Sequence, residues 1–137
     1  MAERIDRYIE RLELSKGASS KAITELEKKL LIQLPADYQT FMEQSNGAEG
    51  IIGTEGYLSL WPIEEIADLN NEYSVTEFAP GLVIFGSDGG DTAYAFDTKK
   101  SPPEIVTVPF IGMDLKEVKD YATTFNEFLK NLYQESD

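Results

Sequence analysis

The chain has 137 residues, 42% hydrophobic and 27% charged, a length that suits one domain with a self-sufficient core. It holds neither Cys nor His, which excludes disulfides, thiolate nucleophiles, Ser-His-Asp triads and Cys- or His-ligated zinc. Its formal net charge of −13, from 12 Lys plus Arg against 25 Asp plus Glu, disfavours nucleic acid and anionic lipid as partners and favours basic ones.

Ile5, Ile9 and Leu12 at helical spacing predict a first helix over residues 3–13, in which Glu3 and Arg7 attract and Arg7 and Arg11 repel. Ser15–Lys16–Gly17 breaks it. Ser19 or Ser20 then caps a second helix striped by Ile23, Leu26 and Leu30. Leu34–Pro35–Ala36–Asp37 starts a third, with Pro35 near the first turn, where its missing N–H costs nothing. Tyr38, Phe41 and Met42 form its apolar face, and Asn46–Gly47 ends it. Beyond Gly47 the period shortens: Ile51–Ile52 and Tyr57–Leu60 read as strands around a turn at Thr54–Glu55–Gly56. Pro62 opens a further helix with Ile63, Ile66 and Leu69 or Asn70 along one side. Leu82–Phe85 and Thr92–Phe96 read as strands joined by a glycine-rich hairpin connection, Gly86–Asp91, and Glu104–Val108 as another strand. A closing helix carries Phe125, Phe128, Leu129 and Leu132 behind the capping-box pattern Thr124-x-x-Glu127. Helices at both ends with hairpins between them spell a single α+β domain spanning residues 1–137.

Charge is unevenly spread. From Pro35 to Thr98 there are 12 acidic residues and no Lys or Arg. Glu49 and Glu55 fall in the loops after the third helix. Glu64, Glu65, Asp68 and Glu72 lie on the Pro62 helix, Glu77 after it, and Asp88 and Asp91 in the hairpin connection. Glu64, Asp68 and Glu72 recur every four residues, a line of like charge costing about 0.2–0.5 kcal/mol per pair unless a basic partner turns it into attraction. These acids, with Tyr57 and Tyr73 in polar surroundings, are the candidate partner-binding residues. The bland alternative is an acidic surface kept for solubility.

Catalytic and metal readings find little support. Ser87–Asp91 holds two carboxylates separated by glycines, without the bidentate Glu of a calcium loop, and reads as a hairpin turn. The same glycines lack the Lys-Ser/Thr of a phosphate loop and open no helix. Glu64 and Glu65, adjacent on a helix, point about 100° apart and do not converge on one bond. Whether carboxylates from distant elements, such as Glu49 and Asp91, form a hydrolytic pair is not decided by sequence. Trp61, at a strand-to-helix junction, reads either as core or as an interface anchor.

Several stretches together resemble a known family. Leu34-Pro35-x-Asp37-Tyr38-x-x-Phe41-Met42-x-x-Ser45-Asn46-Gly47 precedes Leu58-x-Leu60-Trp61-x-x-x-Glu65-Ile66. Ile84-Phe85-Gly86-Ser87-Asp88-Gly89-Gly90, Ala95-Phe96-Asp97 and Phe125-x-x-Phe128-Leu129 follow. Their order and spacing are similar to those of the SUKH (SMI–KNR-like) superfamily over residues 23–132. The resemblance implies an antiparallel-rich sheet with N-terminal helices and a C-terminal helix packed around it. It also implies a non-enzymatic immunity protein that captures a toxin domain, often a nuclease, or alternatively a regulatory adaptor for another protein. No catalytic residue, cofactor or metal is implied. The expected partner is a protein, a basic toxin domain rather than nucleic acid or membrane. With no membrane span or signal peptide to be read in the chain, the expected location is the cytoplasm.

Overall fold

The computed structural model describes residues 6–135. In chain order these form α1 (Asp6–Ile9), β1 (Leu12–Leu14), α2 (Ser20–Leu30), α3 (Ala36–Gln44), β2 (Ala48–Ile52), β3 (Gly56–Leu60) and α4 (Ile63–Glu72). There follow α5 (Val75–Phe78), β4 (Leu82–Ser87), β5 (Thr92–Asp97), β6 (Glu104–Pro109), a 3-10 turn (Leu115–Glu117), β7 (Lys119–Ala122) and α6 (Phe125–Glu135). The strands pair in chain order, each antiparallel to the next, as one seven-stranded meander. The α+β class and the antiparallel sheet expected from the sequence are the ones adopted.

Strand alternation divides the core into two. Leu58, Leu60, Val83, Phe85, Tyr94 and Phe96 meet Ile23, Leu26, Tyr38, Phe41, Ile66, Phe125 and Phe128 from the helices on the inner face. Tyr38 sits edge-on to Phe85, Phe96 and Phe125 at 4.9–5.7 Å between ring centroids, a geometry aromatic quadrupoles favour. On the outer face Ile84, Ala93, Ala95, Val106 and Val108 lie under Val75 of α5, Ala79 just after it, and Met113. β4 is therefore buried along its whole length, which is why it reads as an unbroken apolar run.

The first predicted helix needs correcting. Among the described residues it ends at Ile9, and Leu12, expected on its apolar stripe, is buried in β1 opposite Gly50. Ile5 and the Glu3–Arg7 pair lie outside the described residues. Leu12-x-Leu14 fits a period of two as well as a helix, and pairing with β2 satisfies backbone groups that a short exposed helix would leave to water. Gly50 permits it: at φ +146° a Cβ there would stand 3.1 Å from the Arg11 carbonyl oxygen. α5, the 3-10 turn and β7 were not legible in the apolar spacing.

Helix ends are closed partly by distant side chains. Ser19 caps α2 as expected, accepting from Ala22 N at 3.1 Å. Thr124 Oγ1 accepts from Glu127 N, while Glu127 reaches back one residue further than a capping box requires, to Thr123 N at 2.8 Å. α6 gains another cap from Asp37, which accepts from Asn126 N at 2.9 Å. α3 ends before the expected left-handed cap: Ser45 closes it in extended backbone, and Gly47, at φ +89°, takes the left-handed conformation two residues later in the turn into β2. Asn46, between them, serves another helix: its Oδ1 accepts from Ile63 N at 2.8 Å and caps α4, for which Pro62 has no side-chain acceptor.

Candidate protein-binding face

Among the described residues, the outer face of the sheet is covered over β4–β6 and open over β1–β3. Directly opposed residues Glu13, Glu49, Ser59 and Ser87 form one row across β1 to β4, and Ile51 opposes Tyr57 in another. Glu13, Glu49, Ile51 and Tyr57 are exposed. Glu13 opposite Glu49 is a like-charge cross-strand pair, unfavourable by about 0.2–1 kcal/mol, and no Lys or Arg among the described residues forms an ion pair with either. Glu49 is held by the Tyr57 hydroxyl, which donates to its Oε2; that bond raises the Tyr57 phenol pKa above its ordinary value of 10.0. Tyr57 also lies on Gly89, where at φ +83° a Cβ would come within 2.7 Å of the ring.

Trp61 stands where this open half meets α4. One side packs against both core clusters, in line with the core reading. The other is exposed to two surface grooves, as the anchor reading requires. Tyr73 and Phe110 join it: Trp61–Tyr73 centroids are 6.2 Å apart at 15°, Trp61–Phe110 6.4 Å at 26°, and Tyr73–Phe110 4.7 Å at 40°. The groove on the sheet side, about 390 Å³, is lined by Glu13, Glu49, Ser59, Trp61 and Glu65 among others. The second, about 420 Å³, is lined by Trp61, Tyr73, Gly89, Asp91, Phe110 and Ile111. Tyr73 is 43% exposed and Ile111 83%, so the aromatic and aliphatic surface here is presented to solvent.

The sequence-predicted residues divide accordingly. Glu49, Glu65, Tyr73 and Asp91 line the grooves beside Trp61, and Tyr57 joins them through Glu49 and Gly89. Asp88 lies in the same hairpin but spends Oδ1 on it, accepting from Gly90 N and Thr92 N at 2.8 and 3.3 Å. Ser87–Asp91 is thus the hairpin turn expected of it, and no metal-holding cluster of carboxylates occurs among the described residues. Asp91 Oδ1 accepts from Ile111 N at 2.8 Å and so fixes the loop that carries Phe110. Of the others, Glu64 touches the sheet-side groove only through Asn46, and no contact among the described residues brings Glu55, Asp68, Glu72 or Glu77 to this face. Glu55 is in the β2–β3 turn, and Glu77 is exposed on α5. Glu64 accepts from Asn46 Nδ2 at 2.7 Å and borders the groove between α2 and α4. Asp68 and Glu72 are exposed along α4, where Glu72, seven residues from Glu65, points within about 20° of it.

Glu13, Phe110 and Ile111 were missed. Glu13 was hidden by the mistaken first helix. Phe110 and Ile111, bracketed by Pro109 and Gly112, carry the signal of two large apolar residues in a loop.

No helix among the described residues is long and apolar enough to cross a membrane. A Bacillus subtilis (strain 168) protein named "Uncharacterized protein YnaB" is 36% identical over 84 residues, 61% of this chain and 53% of the relative. The chain thus matches about half the length of that curated relative. The family described as SMI1 / KNR4 family (SUKH-1) matches residues 17–131, which shows that the chain belongs to that family.

Proposed function

We propose that the chain is a non-enzymatic immunity protein, acting in the cytoplasm, that neutralises a toxin domain by stoichiometric capture on the open face of β1–β3. The observation that carries this reading is the aromatic cluster Trp61–Tyr73–Phe110, rimmed by Glu13, Glu49, Glu65 and Asp91, at the border of a sheet face that no described element covers. Such a surface has the composition of a hot spot, with large rigid rings at the centre and charge at the edge. Acidic groups without compensating cations speed encounter with a basic partner, and the rings hold it once docked. Nuclease toxins carry basic surfaces for phosphate, so a nuclease domain is the partner that fits best.

The test is co-expression with the domain encoded beside this chain in its own genome, scoring survival and co-purification at low and high salt. Rescue with a complex that loosens in salt is expected. No rescue and no complex overturns the immunity reading and leaves a regulatory adaptor in its place.

A further inference from the structure

We infer that the pocket walled by Trp61, Tyr73 and Phe110 is a seat for an arginine side chain of the partner, an inference that rests on the protein-binding role proposed above. The three ring planes lie within 40° of one another, and the space before them is about 420 Å³, open to solvent. A guanidinium is planar and weakly hydrated, so it stacks on such a wall and is attracted by the ring quadrupoles. Asp91 supplies the counter-charge at the pocket's rim. Its Oδ1 is fixed by Ile111 N, which leaves Oδ2 to accept from a guanidinium N–H.

Among the described residues the pocket has no cation of its own. None of its lining residues is Lys or Arg, and none of the residues from Pro35 to Thr98 is either. Among the described residues the cation seated over a ring is Arg7 on Tyr133, at 5.3 Å, where α1 meets α6. An apolar occupant would leave Asp91 Oδ2 desolvated beside it without a partner. An ammonium satisfies the charge but has no plane to lay on the rings.

The probe is N-acetyl-arginine methylamide, titrated into the whole chain. Trp61 is the single tryptophan, so its fluorescence reports binding in either groove beside it, and the Gly89 and Gly90 amide shifts report this pocket alone. N-acetyl-citrulline methylamide, uncharged and nearly isosteric, and N-acetyl-lysine methylamide are the comparisons. Saturable binding of the arginine probe is expected, about tenfold tighter than that of citrulline and tighter than that of lysine. Asp91→Asn keeps an acceptor for Ile111 N but removes the charge, and should weaken the arginine probe about tenfold while leaving the citrulline response unchanged. Equal binding of citrulline, equal binding of lysine, or shifts scattered over the acidic surface without saturation each overturn the seat. The titration needs no toxin. Rescue without an arginine response discards the seat and keeps the function; an arginine response without rescue does the reverse.

Discussion

Asn70 takes the place of a missing strand. β3 pairs with β4 only through Ser59–Ser87 and Leu60–Gly86, extended by Trp61 N donating to Phe85 O at 3.0 Å, before the chain turns into α4. Further along β4, Ile84 is fully buried, and its edge is met by Asn70 instead. Asn70 Oδ1 accepts from Ile84 N at 2.8 Å, and Nδ2 donates to Ile84 O at 2.9 Å. Asn70→Ala strips both backbone groups of their partner. A buried polar group left unsatisfied costs about 1–3 kcal/mol, so two cost about 2–6; with some water entering the space, about 3 kcal/mol is expected. That is a large share of the ~5–15 kcal/mol that holds a domain folded. Urea unfolding followed by circular dichroism should show the midpoint falling by about 1–3 M at an unchanged slope. The Ile84 amide should lose its protection from hydrogen exchange. Because α4 delivers Tyr73 to Trp61, Trp61 emission in the folded variant should shift too. A loss below about 1 kcal/mol with Ile84 still protected would refute the surrogate-strand account.

Three further outcomes follow from the same contacts. The Tyr38 hydroxyl is buried without a hydrogen-bond partner among the described residues, so Tyr38→Phe should hold or raise stability by up to about 2 kcal/mol in urea unfolding; a loss above 1 kcal/mol would show a hidden partner. Gly89→Ala forces a Cβ into left-handed backbone and onto the Tyr57 ring, so it should cost about 1–3 kcal/mol, and absorbance titration should find the Tyr57 phenol back near its ordinary range. Burial raises the Tyr38 and Tyr94 phenols above their ordinary value of 10.0, so above that pH the unfolded chain binds fewer protons than the folded one. Their contribution is full below that value and lost as pH rises, so the melting temperature should fall steadily through the alkaline range, and a flat profile would contradict their burial.

Much of the fold was legible because its signals are local. The apolar run of β4, the capping residues Ser19 and Thr124, and the glycines of the β4–β5 connection each act within a few residues. The first helix was misread because Ile5, Ile9 and Leu12 satisfy a helical period that β1 ignores in order to reach Gly50. Asn46 and Asp37 were visible as helix-end residues, but their capping of α4 and α6 depends on partners 17 and 89 positions away. The candidate site was half legible. The acidic excess pointed to the surface type, and Tyr57, Tyr73, Glu49, Glu65 and Asp91 do converge. Which acids converge is set by strand register and by the loop carrying Phe110, and spacing along one helix does not report either.

The most direct test of the central claim is the association rate of the toxin-domain complex at low salt for two doubly reversed variants of equal charge. Glu13→Lys with Glu65→Lys changes the groove beside Trp61; Glu25→Lys with Glu43→Lys makes the same change on exposed positions of α2 and α3. The account predicts that the groove pair slows association about tenfold or more while the helix pair has a much smaller effect. Equal slowing by both pairs, or none by the groove pair, would contradict it.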